Sequence, residues 1–313
     1  MYYRNIYETI YNIKKLFDFS IINTINTFIT WRFNKMAMNP LAKYTKIEEI
    51  STKLVTNGVI PYKDGVLGPK GVKCGVCARS ARDEMTLNTP DMLLNGDAVS
   101  RVIENCVPNV IDADELYVND VEMLLIAIKV ASKEETYDIN VVCPECEKEG
   151  RFERNLSYLL ETAKSFSEIP SVDLDNGLRL EFKPLTWKEY SSFAERMFNE
   201  QQKTKFLETA DIDKDEKVKI FSEVFESMAQ LNFDMIGGVI AKIITPDGDE
   251  VVEKEFINEW LGQQSKGVLK LIREKMDEVL EIGVSHTMEV ECSNCNHQWE
   301  IDGLKYDPSH FFE

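Results

Sequence analysis

The chain has 313 residues and a mass of 36.0 kDa, with 43% hydrophobic and 29% charged residues. That admits one large domain or two ordinary ones with a buried core. A formal net charge of −18 argues against a surface that wraps nucleic acid, which needs clustered Lys and Arg to displace counterions. No apolar run reaches the roughly 18 residues of a membrane-spanning helix. The histidines, His286, His297 and His310, all lie near the C-terminus, so a catalytic histidine elsewhere is excluded.

Residues 1–37 differ from the rest. Arg4, Lys14, Lys15, Arg32 and Lys35 stand against Glu8 and Asp18, a net +3 that leaves −21 on the remainder. Asn23, Thr24, Asn26 and Thr27 interrupt its apolar stretch. Three readings are open: an amphipathic interfacial helix with basic flanks, a loosely fixed extension, or a start-site artefact with translation beginning at Met36 or Met38. No secretory signal is expected.

From Met38 the pattern predicts mixed α and β structure. Residues 52–78 read as short strands broken by Asn57-Gly58, Asp64-Gly65 and Pro69-Lys70-Gly71. Ser80-Ala81-Arg82-Asp83 predicts a capping box. Thr89-Pro90-Asp91 predicts a further helix start, with Val99, Val102 and Ile103 as that helix's apolar stripe. Asn119-Asp120 opens a third helix, with Val121, Leu124, Leu125 and Ile128 on one face. Residues 137–142 alternate as a strand into Cys143.

The second half repeats the order. Asn176-Gly177 turns into a strand at 178–183, and Thr186-Trp187-Lys188-Glu189 is a second capping box. Val218, Phe221, Phe225 and Met228 stripe a later helix. Pro246-Asp247-Gly248 predicts a hairpin between 239–244 and 250–252. Val268, Ile272, Met276 and Val279 stripe the last helix, ended by Gly283. Residues 286–291 alternate into Cys292. The expected fold is therefore α+β, with two similar halves, 38–166 and 167–313, each ending in a C-x-x-C hairpin.

Six of the seven cysteines form C-x-x-C pairs: Cys74/Cys77, Cys143/Cys146 and Cys292/Cys295, with Cys106 left over. An odd count in such pairs, in a chain without a secretory signal, favours metal ligation over a disulfide framework. In both late pairs a strand precedes the motif, a polar turn follows it and an aromatic (Phe152 or Trp299) opens the return strand. Two such knuckles complete a tetrahedral zinc site, so Cys143, Cys146, Cys292 and Cys295 are predicted to share one structural Zn²⁺. A redox dithiol would instead stand at a helix start, and unmetallated loops are the remaining alternative. Cys74-Gly-Val-Cys77 lies in an apolar run and reads as core, as does Cys106. His297 reads as part of a polar hairpin. Asp211-Ile-Asp213-Lys-Asp215 imitates a calcium loop, but Glu216 and Ser222 stand where Gly and a bidentate Glu are required.

A resemblance follows from several of these segments in order: Met38-Asn-Pro-Leu-Ala-Lys-Tyr44, Ser80-Ala-Arg-Asp-Glu84, Thr89-Pro-Asp-Met-Leu-Leu-Asn-Gly96, Val102-Ile-Glu-Asn-Cys-Val-Pro108, Asn119–Ile128, Cys143-Pro-Glu-Cys146 and Phe311-Phe312. Together they resemble the T4-type baseplate hub assembly family of tailed phages, most densely over 38–160. The resemblance implies a non-enzymatic hub subunit or assembly factor that contacts other hub or tail proteins, with no nucleic acid or membrane partner. Its expected place is the host cytoplasm during assembly and the virion baseplate. It also leaves residues 1–37 outside the family. The competing reading is a zinc-ribbon nucleic-acid-binding regulator, against which stand Glu145, Glu147 and Glu149 around the first knuckle, with Lys148 alone opposing them.

Overall fold

Glu48–Lys53 (β1) pairs antiparallel with Lys73–Cys77 (β2). The excursion between them turns at Asn57-Gly58, Gly65 and Gly71, all at positive φ, where the turn signals stand. The computed structural model describes residues 46–89, 92, 95–209, 213–304 and 306. The chain divides into two units, Met1–Ile47 and Glu48–Glu313, and the described helices and strands belong to the second. The expectations for residues 1–37, Met38–Tyr44, Pro90-Asp91, the calcium-like loop at 211–212 and Phe311-Phe312 fall outside the described residues.

Ser80 caps α1 (Ala81–Leu87) with a complete capping box: its hydroxyl accepts from Asp83 N while the Asp83 carboxylate accepts from Ser80 N. The stripe Val99, Val102 and Ile103 belongs to α2 (Asp97–Cys106), which begins only after Gly96 and is not continuous with Thr89-Pro90-Asp91. Gly96 adopts φ +84, and a Cβ there would stand 2.3 Å from Ser191 Oγ, so the chain turns where a side chain would not fit.

Val118–Ala131 (α3) is the centre of the core. One apolar face was expected, but Val121, Met123, Leu124, Leu125, Ile126, Ala127 and Ile128 are all buried. A helix apolar all round is surrounded, and the second half supplies part of the cover. Val118 N donates to Leu185 O at 3.0 Å and Trp187 N to Leu116 O at 2.6 Å. Even Asp120 is fully buried, its carboxylate accepting from Thr56 N, Thr56 Oγ1 and Tyr62 Oη at 3.1, 2.7 and 2.6 Å. Burial pushes that carboxyl above its ordinary range, against the pull of these donors.

Beyond α3, Thr136–Val142 (β3) and Glu149–Asn155 (β4) form a hairpin in continuous register, followed by α4 (Leu156–Thr162), whose N-terminus Asn155 caps. A four-stranded antiparallel sheet then runs in the order Ser171–Asp173 (β5), Arg179–Phe182 (β6), Ile240–Ile244 (β7), Glu250–Val251 (β8). Between the neighbours β6 and β7 the chain makes an excursion through α5 (Trp187–Thr209) and α6 (Lys214–Val239), which pack together. The second capping box is present: Thr186 N donates to Glu189 Oε2 at 3.0 Å and Glu189 N to Thr186 Oγ1 at 3.3 Å.

In α6 the inward face is Val224, Leu231 and Ile236, while Val218, Phe221 and Phe225 of the expected stripe are exposed. The β7–β8 turn places Gly248 at φ +90. Then come α7 (Lys254–Leu261), α8 (Lys266–Leu280) with Ile272 and Val279 buried, and the hairpin Met288–Glu291 (β9) and Gln298–Ile301 (β10).

Candidate metal centre

The two late C-x-x-C motifs sit at the tips of β3–β4 and β9–β10, and their backbones match atom for atom. Cys143 N donates to Lys148 O at 2.9 Å and Glu147 N to Cys143 O at 3.0 Å; Cys292 N donates to His297 O at 2.9 Å and Asn296 N to Cys292 O at 2.8 Å. Glu147 and Asn296, each four residues after the first cysteine, both have φ +58. Asn tolerates the left-handed region readily. Glu147 carries no such local preference, so only its place in the turn holds it there.

Several ties bring the C-terminal hairpin onto the first half. Asn119 Nδ2 donates to Val279 O at 2.9 Å and to Ile282 O at 2.6 Å, securing the end of α8 to the start of α3. Lys164 N donates to Gly283 O at 2.8 Å. His286 Nε2 lies 2.9 and 3.0 Å from the two Glu122 oxygens, and the Tyr306 ring, held by its own hydrogen bond to Ser285 O, lies 6.2 Å from that of Tyr137. At the tips, Lys148 Nζ donates to Asn294 Oδ1 at 2.7 Å.

These ties converge the four sulfurs. Cys143 Sγ is 3.7 Å from Cys295 Sγ, Cys146 Sγ is 3.6 Å from Cys292 Sγ, and all four lie within 4.8 Å of one another. Tetrahedral ligation at a Zn–S distance of ~2.3 Å requires sulfurs about 3.8 Å apart, so the cluster fits an ion of that size. Cys143 and Cys292 are buried, Cys146 is half-buried and Cys295 exposed. Backbone N–H groups of Asn294 and Cys295 point at Cys292 and bring its thiol down to about 6. That of Lys148 lowers Cys146. Cys295 also receives an N–H, from His297, yet the surrounding sulfurs push it up to about 12. Thiolates this close cannot all carry charge without a cation among them, and the four sulfurs are placed where one metal ion could be held.

All four predicted ligands are thus brought together. Cys74, Cys77 and Cys106 are not; they are buried in the core of the first half. His297 stays out of the cluster, with its ring stacked on Trp299 at a centroid distance of 5.8 Å. Sequence reasoning missed the ties through Asn119, Glu122 and Lys148, which no local pattern announces.

The described residues define a helix-rich α+β protein in which two sequence-distant hairpins meet at one four-thiol cluster able to hold a metal ion. The chain belongs to the T4 bacteriophage base plate protein family, whose sequence profile matches residues 48–313. Comparison with curated proteins and with solved structures found no match. Among the described residues no helix is long and apolar enough to cross a membrane.

Proposed function

We propose that the chain is a non-enzymatic subunit or assembly factor of the phage baseplate hub, with its C-terminal hairpin clasped to the first half by one structural Zn²⁺ on Cys143, Cys146, Cys292 and Cys295. The family match over 48–313 carries the baseplate role. The four-sulfur cluster supports the clasp, and four thiolates leave no coordination position for a reacting water. Zinc is preferred to other ions because a closed tetrahedral all-sulfur set suits it, although the same ligands also hold iron. On this reading the halves 38–166 and 167–313 are two similar units that the ion joins.

The partners are other hub or tail proteins, met in the host cytoplasm and carried into the baseplate. The nucleic-acid reading fares worse, because exposed Glu145, Glu147, Glu149, Glu289 and Glu291 surround the knuckle turns. Affinity capture of the tagged chain from infected cells is expected to recover another hub or tail protein. Proteomic analysis of finished particles then separates subunit from assembly factor. Recovery of nucleic acid alone, with salt-sensitive DNA binding at a dissociation constant of about 10⁻⁴–10⁻⁶ M or tighter, would favour the regulator.

A further inference from the structure

Each knuckle's first cysteine faces the other knuckle's second. Cys143 Sγ lies 3.7 Å from Cys295 Sγ and Cys146 Sγ 3.6 Å from Cys292 Sγ, so both contacts run between the hairpins. The hairpins are also held together without any ion. Lys148 Nζ donates to Asn294 Oδ1 at the tips, and the Phe152 and Trp299 rings meet along the return strands. The two sulfur pairs therefore stay within reach of each other when a metal leaves. A disulfide needs sulfurs about 2.05 Å apart, so each pair has to close by about 1.6 Å, which side-chain rotation can supply.

The backbone disfavours closure inside either motif. Redox C-x-x-C pairs stand at a helix start, whereas these stand in hairpin turns that Glu147 N to Cys143 O and Asn296 N to Cys292 O hold in place, with Glu147 and Asn296 at φ +58. Access is graded across each pair as well. Cys295 is exposed and Cys146 half-buried, while their partners Cys143 and Cys292 are buried. Each pair thus offers one sulfur to an oxidant and keeps a sheltered one beside it. With an ion bound all four are thiolates, and exposure decides which reacts first.

We propose that the four cysteines form a redox-sensitive latch, in which hydrogen peroxide converts the metal clasp into two disulfides across the hairpins, Cys143–Cys295 and Cys146–Cys292. The accessible sulfur attacks the peroxide: the O–O bond breaks, an S–O bond forms, and a sulfenic acid and water result. The sheltered sulfur then attacks the sulfenic sulfur, forming the S–S bond as the S–O bond breaks and a second water leaves. Counted as thiols, each disulfide uses two thiols and one hydrogen peroxide and yields two waters. Metal-bound thiolates take the two missing protons from solvent, and loss of the ligands frees the ion. The C-terminal hairpin then stays docked through the metal in reducing surroundings and through sulfur in oxidising ones, such as those around a virion. The release of an ion rests on the clasp reading, whereas the pairing rests on the sulfur positions alone.

The test treats the full chain, as purified, with hydrogen peroxide and maps its peptides by mass spectrometry without reduction. Trypsin leaves Cys143 and Cys146 in peptide 134–148 and Cys292 and Cys295 in peptide 276–305. The two peptides are expected to run joined and four hydrogens lighter, with one ion released per chain. Cys74, Cys77 and Cys106, buried in the core, should stay reduced. Hydrogen exchange in residues 288–301 should remain as slow as before oxidation, whereas stripping the reduced chain with a chelator should speed it. Cys146→Ser/Cys292→Ser, which keeps Cys143 and Cys295, should cross-link faster than Cys146→Ser/Cys295→Ser, which keeps the two buried sulfurs. Unlinked peptides, each two hydrogens lighter, would overturn the latch while a measured ion left the clasp standing. Sulfinic or sulfonic acids without linkage, or equal linking in the two variants, would overturn it too. Linked peptides from a chain that held no ion would support the pairing and remove the clasp.

Discussion

Phe152 and Trp299, the aromatics that open the return strands of the two knuckles, meet edge to face with ring centroids 5.6 Å apart and an interplanar angle of 90°. The pair is half-buried and joins the two hairpins along their return strands. It also shows that the hairpins approach through their faces, so the cluster does not depend on the tips alone. Edge-to-face pairs contribute about 0.5–1.5 kcal/mol beyond the area they bury. Trp299→Ala is therefore expected to destabilise by about 1–3 kcal/mol while leaving the metal stoichiometry unchanged. Thermal unfolding with and without a chelator checks this, and the penalty should be larger once the metal is stripped. Equal penalties in both states would show that the rings and the clasp do not support one docking.

Elemental analysis of freshly prepared protein should find one metal ion per chain. Cys143→Ser and Cys292→Ser should release it to the same extent, although these residues stand in different hairpins. Each change should also raise hydrogen exchange in residues 288–301, because metal occupancy and folding are coupled. Structural zinc contributes on the order of 10 kcal/mol or more in small zinc peptides. The loss here should be smaller, since α3 and its surroundings form a core without it. Two ions per chain would implicate Cys74 and Cys77, and no ion with every thiol titratable would end the clasp.

The His286–Glu122 contact makes C-terminal docking depend on pH. Hydrogen bonding to Glu122 raises the His286 pKa despite partial burial, with Glu281 and Asp302 adding to the rise. A group whose folded pKa is raised contributes stability that is complete below its unfolded value, near 6.5, and lost as pH climbs through the folded value. Protonation of the thiols works in the opposite direction, releasing metal in acid, so the informative quantity is the difference between the parent and Glu122→Gln. The parent's advantage in melting temperature should be largest near pH 6 and shrink by pH 9. A difference that stays flat across that range would remove His286 as a charged tie.

Gly96 tests the seam between the first helices and α5. Its carbonyl accepts from Trp187 Nε1 at 3.1 Å, and a Cβ would meet Ser191 Oγ. Gly96→Ala adds left-handed strain of about 1–2 kcal/mol and a steric conflict on top of it. Urea denaturation should show a lower midpoint at unchanged slope. Adding Ser191→Gly should recover most of the steric part, leaving the closer approach to Trp187 Nε1 at 3.0 Å and the strain. Full recovery would mean that the backbone angle costs nothing there.

Local chemistry made much of the molecule readable in advance. Ser80-x-x-Asp83 and Thr186-x-x-Glu189 started helices because a capping box joins atoms only three residues apart. The Gly-containing turns fell where positive φ was needed. Both knuckles were visible because strand, C-x-x-C, turn and aromatic lie within some fifteen residues. The family was legible from short segments in order, and the convergence of Cys143 and Cys146 on Cys292 and Cys295 followed from chemistry, since two thiolates make half a site. What the tertiary structure alone decided was burial and partnership. The apolar pattern of α3 did not disclose that the helix is enclosed on all sides, nor did the α6 stripe disclose that it faces water and Val224 faces inward. Asn119 to Ile282, His286 to Glu122 and Lys148 to Asn294 join residues 146 to 164 positions apart. Side-chain periodicity reports which residues share a face, whereas the neighbour that covers the face is chosen by the whole chain's packing.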